Sequence, residues 1–313
     1  MKRGALIAIL FLRALAAPAQ QPTAAPENPQ DAPATTLKVD VKLVNVYVSV
    51  LDANGSPVAG LTRDNFRLAE DDEPQKIAVF DREAEQPLSI VLAIDTSLST
   101  RKDIRLELES ARRFVHTILR PVDRLSLYQF DEVVKEMVPF TADLKAIDRG
   151  IDGVRVGSAT AVFDAVYLGS EALSGRRGRK VLVIVTDGGD TASQVDYLEA
   201  RREALTAEAL VYSVIIVPIA SSAGRNTGGE HALIQLSKDT GGKYFYADTT
   251  ARLDEVFHKI DEELRTQYLL GYYPSRRVSD SEFRRIEVKV TPPAGSGEMT
   301  ARHRTGYFTN PSK

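Results

Sequence analysis

The chain has 313 residues, 43% apolar and 27% charged, with a formal net charge of −3. That balance excludes wholesale disorder, fits about two domains and gives no general electrostatic reason to expect nucleic acid. With no cysteine, disulfides, zinc–thiolate sites, iron–sulfur clusters and thiol nucleophiles are excluded.

Met1–Ala19 (MKRGALIAILFLRALAAPA) starts with Lys2 and Arg3, continues with the apolar Ala5–Leu12 and ends in Ala17-Pro18-Ala19, a small-x-small cleavage pattern. The apolar run, weakened by Arg13, is too short for a stable membrane span. A secretory signal cleaved after Ala19 is expected, giving a secreted or periplasmic protein with no transmembrane segment in the mature chain. A disordered N-terminus and an uncleaved anchor are the alternatives. Gln20–Thr36 carries Pro22, Pro26, Pro29 and Pro33 and almost no large apolar side chain, which predicts an extended linker.

Leu37–Asp81 reads as β. Val44, Val46, Val48 and Val50 alternate with Asn45, Tyr47 and Ser49, and Asn54-Gly55 marks a turn. Phe66–Leu68 and Ile77–Phe80 are further extended pieces, too few for a closed sandwich. From Ser89 to Leu264 the rhythm changes. Buried-strand runs at Ser89–Ile94, Leu125–Phe130, Val181–Val185, Leu210–Val217 and Tyr244–Tyr246 alternate with helical spacing at Ile104–Ile118, Ala161–Leu173, Val195–Ala209, Ala232–Lys238 and Arg252–Leu264. This predicts a mainly parallel sheet with helices on both faces. Gln267–Lys313 returns to β, with strands at Tyr268–Tyr273, around Ile286–Val290 and at Ala301–Phe308. Two half-sandwiches would each leave an apolar face open. The N- and C-terminal segments are therefore expected to form one β-sandwich into which the α/β unit is inserted.

Three stretches fall at the carboxyl edge of the parallel sheet, where open α/β sheets bind ligands. They are Asp95-Thr96-Ser97-Leu98-Ser99, Gly157-Ser158-Ala159-Thr160 and Thr186-Asp187-Gly188-Gly189-Asp190. Carboxylate and hydroxyl oxygens suit a hard divalent cation: Mg²⁺, with Mn²⁺ or Ca²⁺ as alternatives. Three hydroxyls and two carboxylates supply little negative charge, so the ion would stay electrophilic and keep an open position. A partner's carboxylate would fill it. The four histidines, His116, His231, His258 and His303, form no HExxH or closely spaced pair.

Asp95-x-Ser97-x-Ser99 with Thr160 and Asp187 downstream resembles the metal-ion-dependent adhesion site of von Willebrand factor type A (VWA) domains. The resemblance spans about Ser89–Leu264. It implies a Rossmann-like sheet with one short antiparallel edge strand, placed at Val133–Pro139. It also implies that Ser97, Ser99 and Thr160 bind the metal directly, with Asp95 and Asp187 bound directly or through water. The segments LVNVYVSVLDANGSPVAGLTRDNFRL and QYLLGYYP make the whole chain similar to a group of secreted acidobacterial proteins with one VWA-related domain between β segments. The division expected is signal 1–19, linker 20–36, first sandwich part 37–86, VWA domain 87–266 and second sandwich part 267–313.

Helix N-caps are the competing reading of Asp95, Ser97 and Ser99, and equally of Thr160. Three readings of function remain open. The leading one is a secreted, metal-dependent module, not an enzyme and with no catalytic residue, that binds a protein or other acidic ligand. The second is a metal-assisted phospho- or carboxyl-ester hydrolase with Ser97 or Asp95 as nucleophile; it lacks a histidine base on any of the three loops. The third is a structural or assembly protein that uses the sandwich while the metal site is inert. The sequence does not specify the oligomeric state.

Overall fold

Leu88–Asp95 is buried at every position, so its sheet needs cover on both faces. The computed structural model describes residues 43–82, 86–98, 104–187, 189–217, 227–276 and 282–309. The expected signal and linker, as well as Ser99 and Gly188, lie outside the described residues. The chain opens with β1 (Val44–Asp52), β2 (Phe66–Glu70), β3 (Glu73–Gln75) and β4 (Ile77–Asp81). Then come β5 (Leu88–Asp95), α1 (Ile104–Ile118), β6 (Arg124–Phe130), β7 (Val134–Thr141), α2 (Leu144–Asp152), α3 (Val162–Ser174) and β8 (Arg179–Thr186). The α/β part ends with α4 (Tyr197–Thr206), β9 (Ala209–Ile216), α5 (Thr227–Thr240), β10 (Tyr244–Ala247) and α6 (Thr250–Thr266). Four strands follow: β11 (Tyr268–Tyr272), β12 (Phe283–Val290), β13 (Met299–Arg302) and β14 (Gly306–Phe308).

The central sheet has six strands in the order β10-β9-β8-β5-β6-β7, all parallel except β7. Because strand side chains alternate faces, Ile90, Leu92 and Ile94 share one core with Phe114 of α1, Ile147 of α2 and Phe257 of α6. Val91 and Ala93 face the other way, onto Val166 of α3, Ala200 of α4 and Leu233 of α5. The Phe114 and Phe257 rings stack at 4.5 Å and tie α1 to α6.

The remaining strands form two four-stranded antiparallel sheets, ordered β13-β1-β11-β4 and β14-β12-β2-β3. They share a core of Val46, Val48, Phe66, Leu68, Leu270, Ile286 and Val288. Each sheet mixes strands from before and after the α/β unit, so neither half closes alone. The single strand expected over Ala301–Phe308 is broken in two. β13 pairs with β1 while β14 pairs with β12, and the chain crosses between the sheets at His303–Thr305. The turn is held by His303, whose Nε2 accepts the Val288 N–H at 3.1 Å and whose Nδ1 lies 2.7 Å from the Arg304 carbonyl.

All described residues belong to one compact unit. The sandwich meets the α/β part where the parallel strands begin. Arg179, first residue of β8, donates to the Leu264 carbonyl and to Gln267, between α6 and β11. Glu263 of α6 accepts from the hydroxyls of Ser49 and Tyr212 and pairs with Arg302. The Thr305 N–H donates to the Asp239 carbonyl at the end of α5, at 2.8 Å. The carboxyl ends of the strands lie at the opposite edge. Among the described residues no helix is long and apolar enough to cross a membrane.

Candidate functional site

From β5 the chain crosses to β6 on one side, and β8 later docks on the other. That reversal of direction leaves a crevice outside the carboxyl ends of β5 and β8. Asp95 is the last residue of β5 and Thr186 the last of β8. Both are fully buried, and Thr186 Oγ1 donates to Asp95 Oδ2 at 2.6 Å. The Ser97 N–H donates to Asp95 Oδ1 at 2.9 Å, folding the loop over its own carboxylate. Burial pushes the Asp95 carboxyl up to about 6; the hydrogen bonds from Thr186 and Ser97 oppose that shift, and the nearby Asp187 charge adds to it. A bound cation would favour the ionised form.

The second loop is tied to the first. The Gly157 N–H donates to the Thr96 carbonyl at 2.7 Å, the Leu98 N–H to the Ser158 carbonyl at 3.4 Å, and the Ala161 N–H to the Asp131 carbonyl at 2.7 Å. Gly157 is required by close approach: a Cβ there would lie 2.1 Å from Asp131 Oδ2. Thr160 is paired through its backbone. Its N–H donates to Thr191 Oγ1 at 3.0 Å, and its carbonyl accepts the N–H groups of Thr191 at 2.8 Å and Ala192 at 3.1 Å. The Thr160 hydroxyl and the Asp187 carboxylate make no hydrogen bond or ion pair with the described residues.

Asp95, Ser97, Thr160 and Asp187 thus share one sheet edge on three connected loops. Ser99 lies outside the described residues. The N-cap reading of Thr160 does not hold. Ala161 occupies the cap of α3 and has no side-chain oxygen to offer. Asp190 and Ser193, from the β8–α4 loop, take the free N–H groups of that helix instead. A hydrogen-bonding role for Thr186 and capping by Asp190 were not foreseen from the sequence. Among the described residues no group of three or more His, Asp or Glu side chains is placed to hold a metal. The candidate donor set is two carboxylates with hydroxyls, the chemistry of a hard cation rather than of zinc or iron.

Residues 90–189 match the von Willebrand factor type A domain family. A von Willebrand factor type A structure from Catenulispora acidiphila is similar over 85% of this chain and 74% of its own, at 11% identity and a TM-score of 0.51. That coverage extends beyond the α/β part, and at such identity it speaks for the fold alone. The conserved hypothetical protein BatB from Bacteroides thetaiotaomicron is similar over 57% of this chain and all of its own (16% identity, TM-score 0.46). The pilus adhesin SpaC from Lactobacillus rhamnosus GG is similar over 80% of this chain and 48% of its own (11% identity, TM-score 0.48). No curated protein matches the sequence significantly.

Proposed function

From the match of residues 90–189 to the von Willebrand factor type A domain family, we propose that the protein is an exported, metal-dependent binding module for adhesion or assembly. Asp95, Ser97, Ser99, Thr160 and Asp187 would hold Mg²⁺, with Mn²⁺ or Ca²⁺ as substitutes. The cation supplies an electrophilic point for a carboxylate presented by a protein partner. The chain's own residues supply its oxygen cradle and hold it at the mouth of the crevice.

One observation carries this reading. A buried aspartate, oriented by Thr186 and Ser97, lies at the same edge as a threonine hydroxyl and an aspartate carboxylate without partners among the described residues. Such oxygens are poorly used unless something bridges them. Exposed Leu98 and Val156, beside two of these loops, and Val133 on the adjoining β6–β7 turn favour a protein as the ligand, because apolar side chains near the mouth would be covered on docking. Binding is favoured over hydrolysis because the three loops bear no histidine to serve as a base. Export rests on the Met1–Ala19 pattern.

The test is calorimetric titration of the protein with Mg²⁺ and Mn²⁺. The wild type is expected to bind one ion per chain, and Thr160→Val and Asp187→Asn to bind weakly or not at all. A wild-type chain that takes up neither ion at millimolar concentration would overturn the reading.

A further inference from the structure

The loop after β8 and the amino end of α3 are laced together over a short span. Asp190 Oδ1 accepts the N–H groups of Val162 at 2.8 Å and Phe163 at 3.3 Å. Ser193 donates its hydroxyl to the same Asp190 oxygen and accepts the N–H groups of Phe163 at 3.0 Å and Asp164 at 3.1 Å. The exchange runs in both directions, since Asp164 Oδ1 accepts the N–H groups of Gln194 at 2.9 Å and Val195 at 3.0 Å. The backbone pairing of Thr160 with Thr191 and Ala192 closes the lattice at its upper end.

This is more than helix capping. An ordinary cap is the residue just before the helix, and it satisfies N–H groups without fixing any distant segment. Here the residue just before the helix is Ala161, which has no side-chain acceptor, and the caps come from a loop 27 to 30 positions later. Thr160 is two residues before Val162, and Asp187 is three residues before Asp190. The two candidate cation oxygens without partners among the described residues therefore ride on the two strips of chain that this lattice joins. An acceptor oxygen at a helix amino terminus is also favoured by the dipole of α3.

We propose that Asp190, with Ser193, is a positioning residue of the cation site: it locks the β8–α4 loop to the start of α3 so that Thr160 and Asp187 form a single preassembled half of the cradle. The inference rests on the metal reading above and adds to it a division of labour. The Asp95–Leu98 strip is the separate half, joined to the lattice through the Thr186–Asp95 hydrogen bond and the backbone contacts of Gly157 and Ser158.

Two readouts separate its failure from failure of the metal reading. Mn²⁺ alone is the probe for titration of the wild type, Asp190→Ala, Asp190→Asn and Ser193→Ala, with Leu68→Ala as a variant destabilised in the sandwich, far from the site. Amide hydrogen exchange without metal is the second readout. Asp190→Ala is expected to weaken Mn²⁺ binding by roughly tenfold, within the span usual for coupled sites. Asp190→Asn keeps an acceptor oxygen and should recover most of that loss, while Leu68→Ala should bind as the wild type does. In exchange, Asp190→Ala should release the amides of Val162 and Phe163 together with those of Gln194 and Val195, on the far side of the lattice. If Asp190→Ala and Ser193→Ala both bind Mn²⁺ as tightly as the wild type, the positioning role is wrong while the metal reading stands. If Leu68→Ala loses as much affinity as Asp190→Ala, the effect is general destabilisation and the proposal falls. A wild type silent to Mn²⁺ removes the metal reading and with it the positioning role, and the exchange data then report a purely structural lattice.

Discussion

Thr186 donates its hydroxyl hydrogen to Asp95 across the seam between β8 and β5, at 2.6 Å, with both side chains out of contact with solvent. The bond joins the two strands that flank the crevice, and Asp187 follows Thr186 directly. Structure and site are therefore coupled at one point. A buried carboxylate is tolerable there because donors surround it, and the same donors fix which way its oxygens face.

Replacing Thr186 by Val preserves shape and removes the donor. Asp95 then keeps its charge in a buried place with one fewer hydrogen bond. The expected loss is about 1–3 kcal/mol of stability. Thr186→Ser keeps the hydroxyl and should lose much less. Urea denaturation of the three proteins checks this. Equal midpoints for Val and wild type would mean that the bond contributes nothing.

The sandwich depends on a different buried carboxylate. Glu70 of β2 accepts from Arg284 of β12 at 2.9 Å, from Tyr272 of β11 at 2.6 Å and from Tyr307 of β14 at 2.8 Å. These strands lie in both sheets and come from both ends of the chain, so Glu70 is a registration point for the split sandwich. Glu70→Ala takes the closest carboxylate from a buried guanidinium and an acceptor from two phenols. A cost of about 3–5 kcal/mol is expected, as for a broken buried ion pair. Glu70→Gln retains an acceptor and should fall between. Equilibrium unfolding gives the order, and an alanine variant as stable as the glutamine one would refute it.

Much of this arrangement was legible in the sequence. Continuous apolar runs interleaved with amphipathic spacing specify a parallel sheet covered on both faces, and the three loops follow from where those runs stop. Other features were not legible, for local reasons. α2 carries a clear signal in Leu144, Ile147 and Ile151 with Asp143 accepting from Lys145 as a cap, but only over nine residues beside an edge strand. The break between β13 and β14 leaves no trace, because alternation says that a segment is extended and not which sheet it joins. Asp190 is hidden in a similar way. Helix caps are sought immediately before the helix, and this one acts from the next loop.

His303 makes the sandwich sensitive to pH. Its Nε2 accepts the Val288 N–H and its Nδ1–H donates to the Arg304 carbonyl, so the ring is neutral in the fold. Burial lowers its pKa, and the charge of Arg304 acts in the same direction; the Arg304 carbonyl and Glu287 oppose them. The unfolded chain protonates this ring from about pH 6.5 downward. Between that value and the lower folded value the unfolded state binds more protons, so stability falls as pH falls. Asp95 has the opposite sign. Its folded pKa of about 6 lies above the ordinary carboxyl value of 3.8, so over that interval the fold takes up protons first and gains relative stability as pH falls. The two are separated by comparing wild type with His303→Gln. From pH 7.5 to 5.5 the urea midpoint of the wild type should fall relative to that of the variant, since only the His303 contribution differs between them. Parallel slopes would show that His303 does not carry the effect.

Gly157 offers the sharpest steric test of the site. A Cβ at this position would stand 2.1, 2.3 and 2.4 Å from Oδ2, Cγ and Cβ of Asp131. The Asp131 side chain cannot simply rotate away. Its Oδ1 accepts the Val133 N–H at 3.0 Å, and its own Cβ is part of the clash. Its carbonyl is also engaged, accepting the N–H of Ala161, the neighbour of Thr160. Gly157→Ala must therefore displace either the β6–β7 turn or the strip that carries Thr160. The expected cost is about 1–3 kcal/mol, as for overpacking elsewhere, together with weaker Mn²⁺ binding. Asp131→Gly removes the colliding atoms, so the double variant Gly157→Ala/Asp131→Gly should be more stable than the sum of the single effects allows. A thermodynamic cycle on the four proteins measures that coupling. Strict additivity would mean that the two residues do not press on each other, and that the loop bearing Thr160 is not held by Asp131.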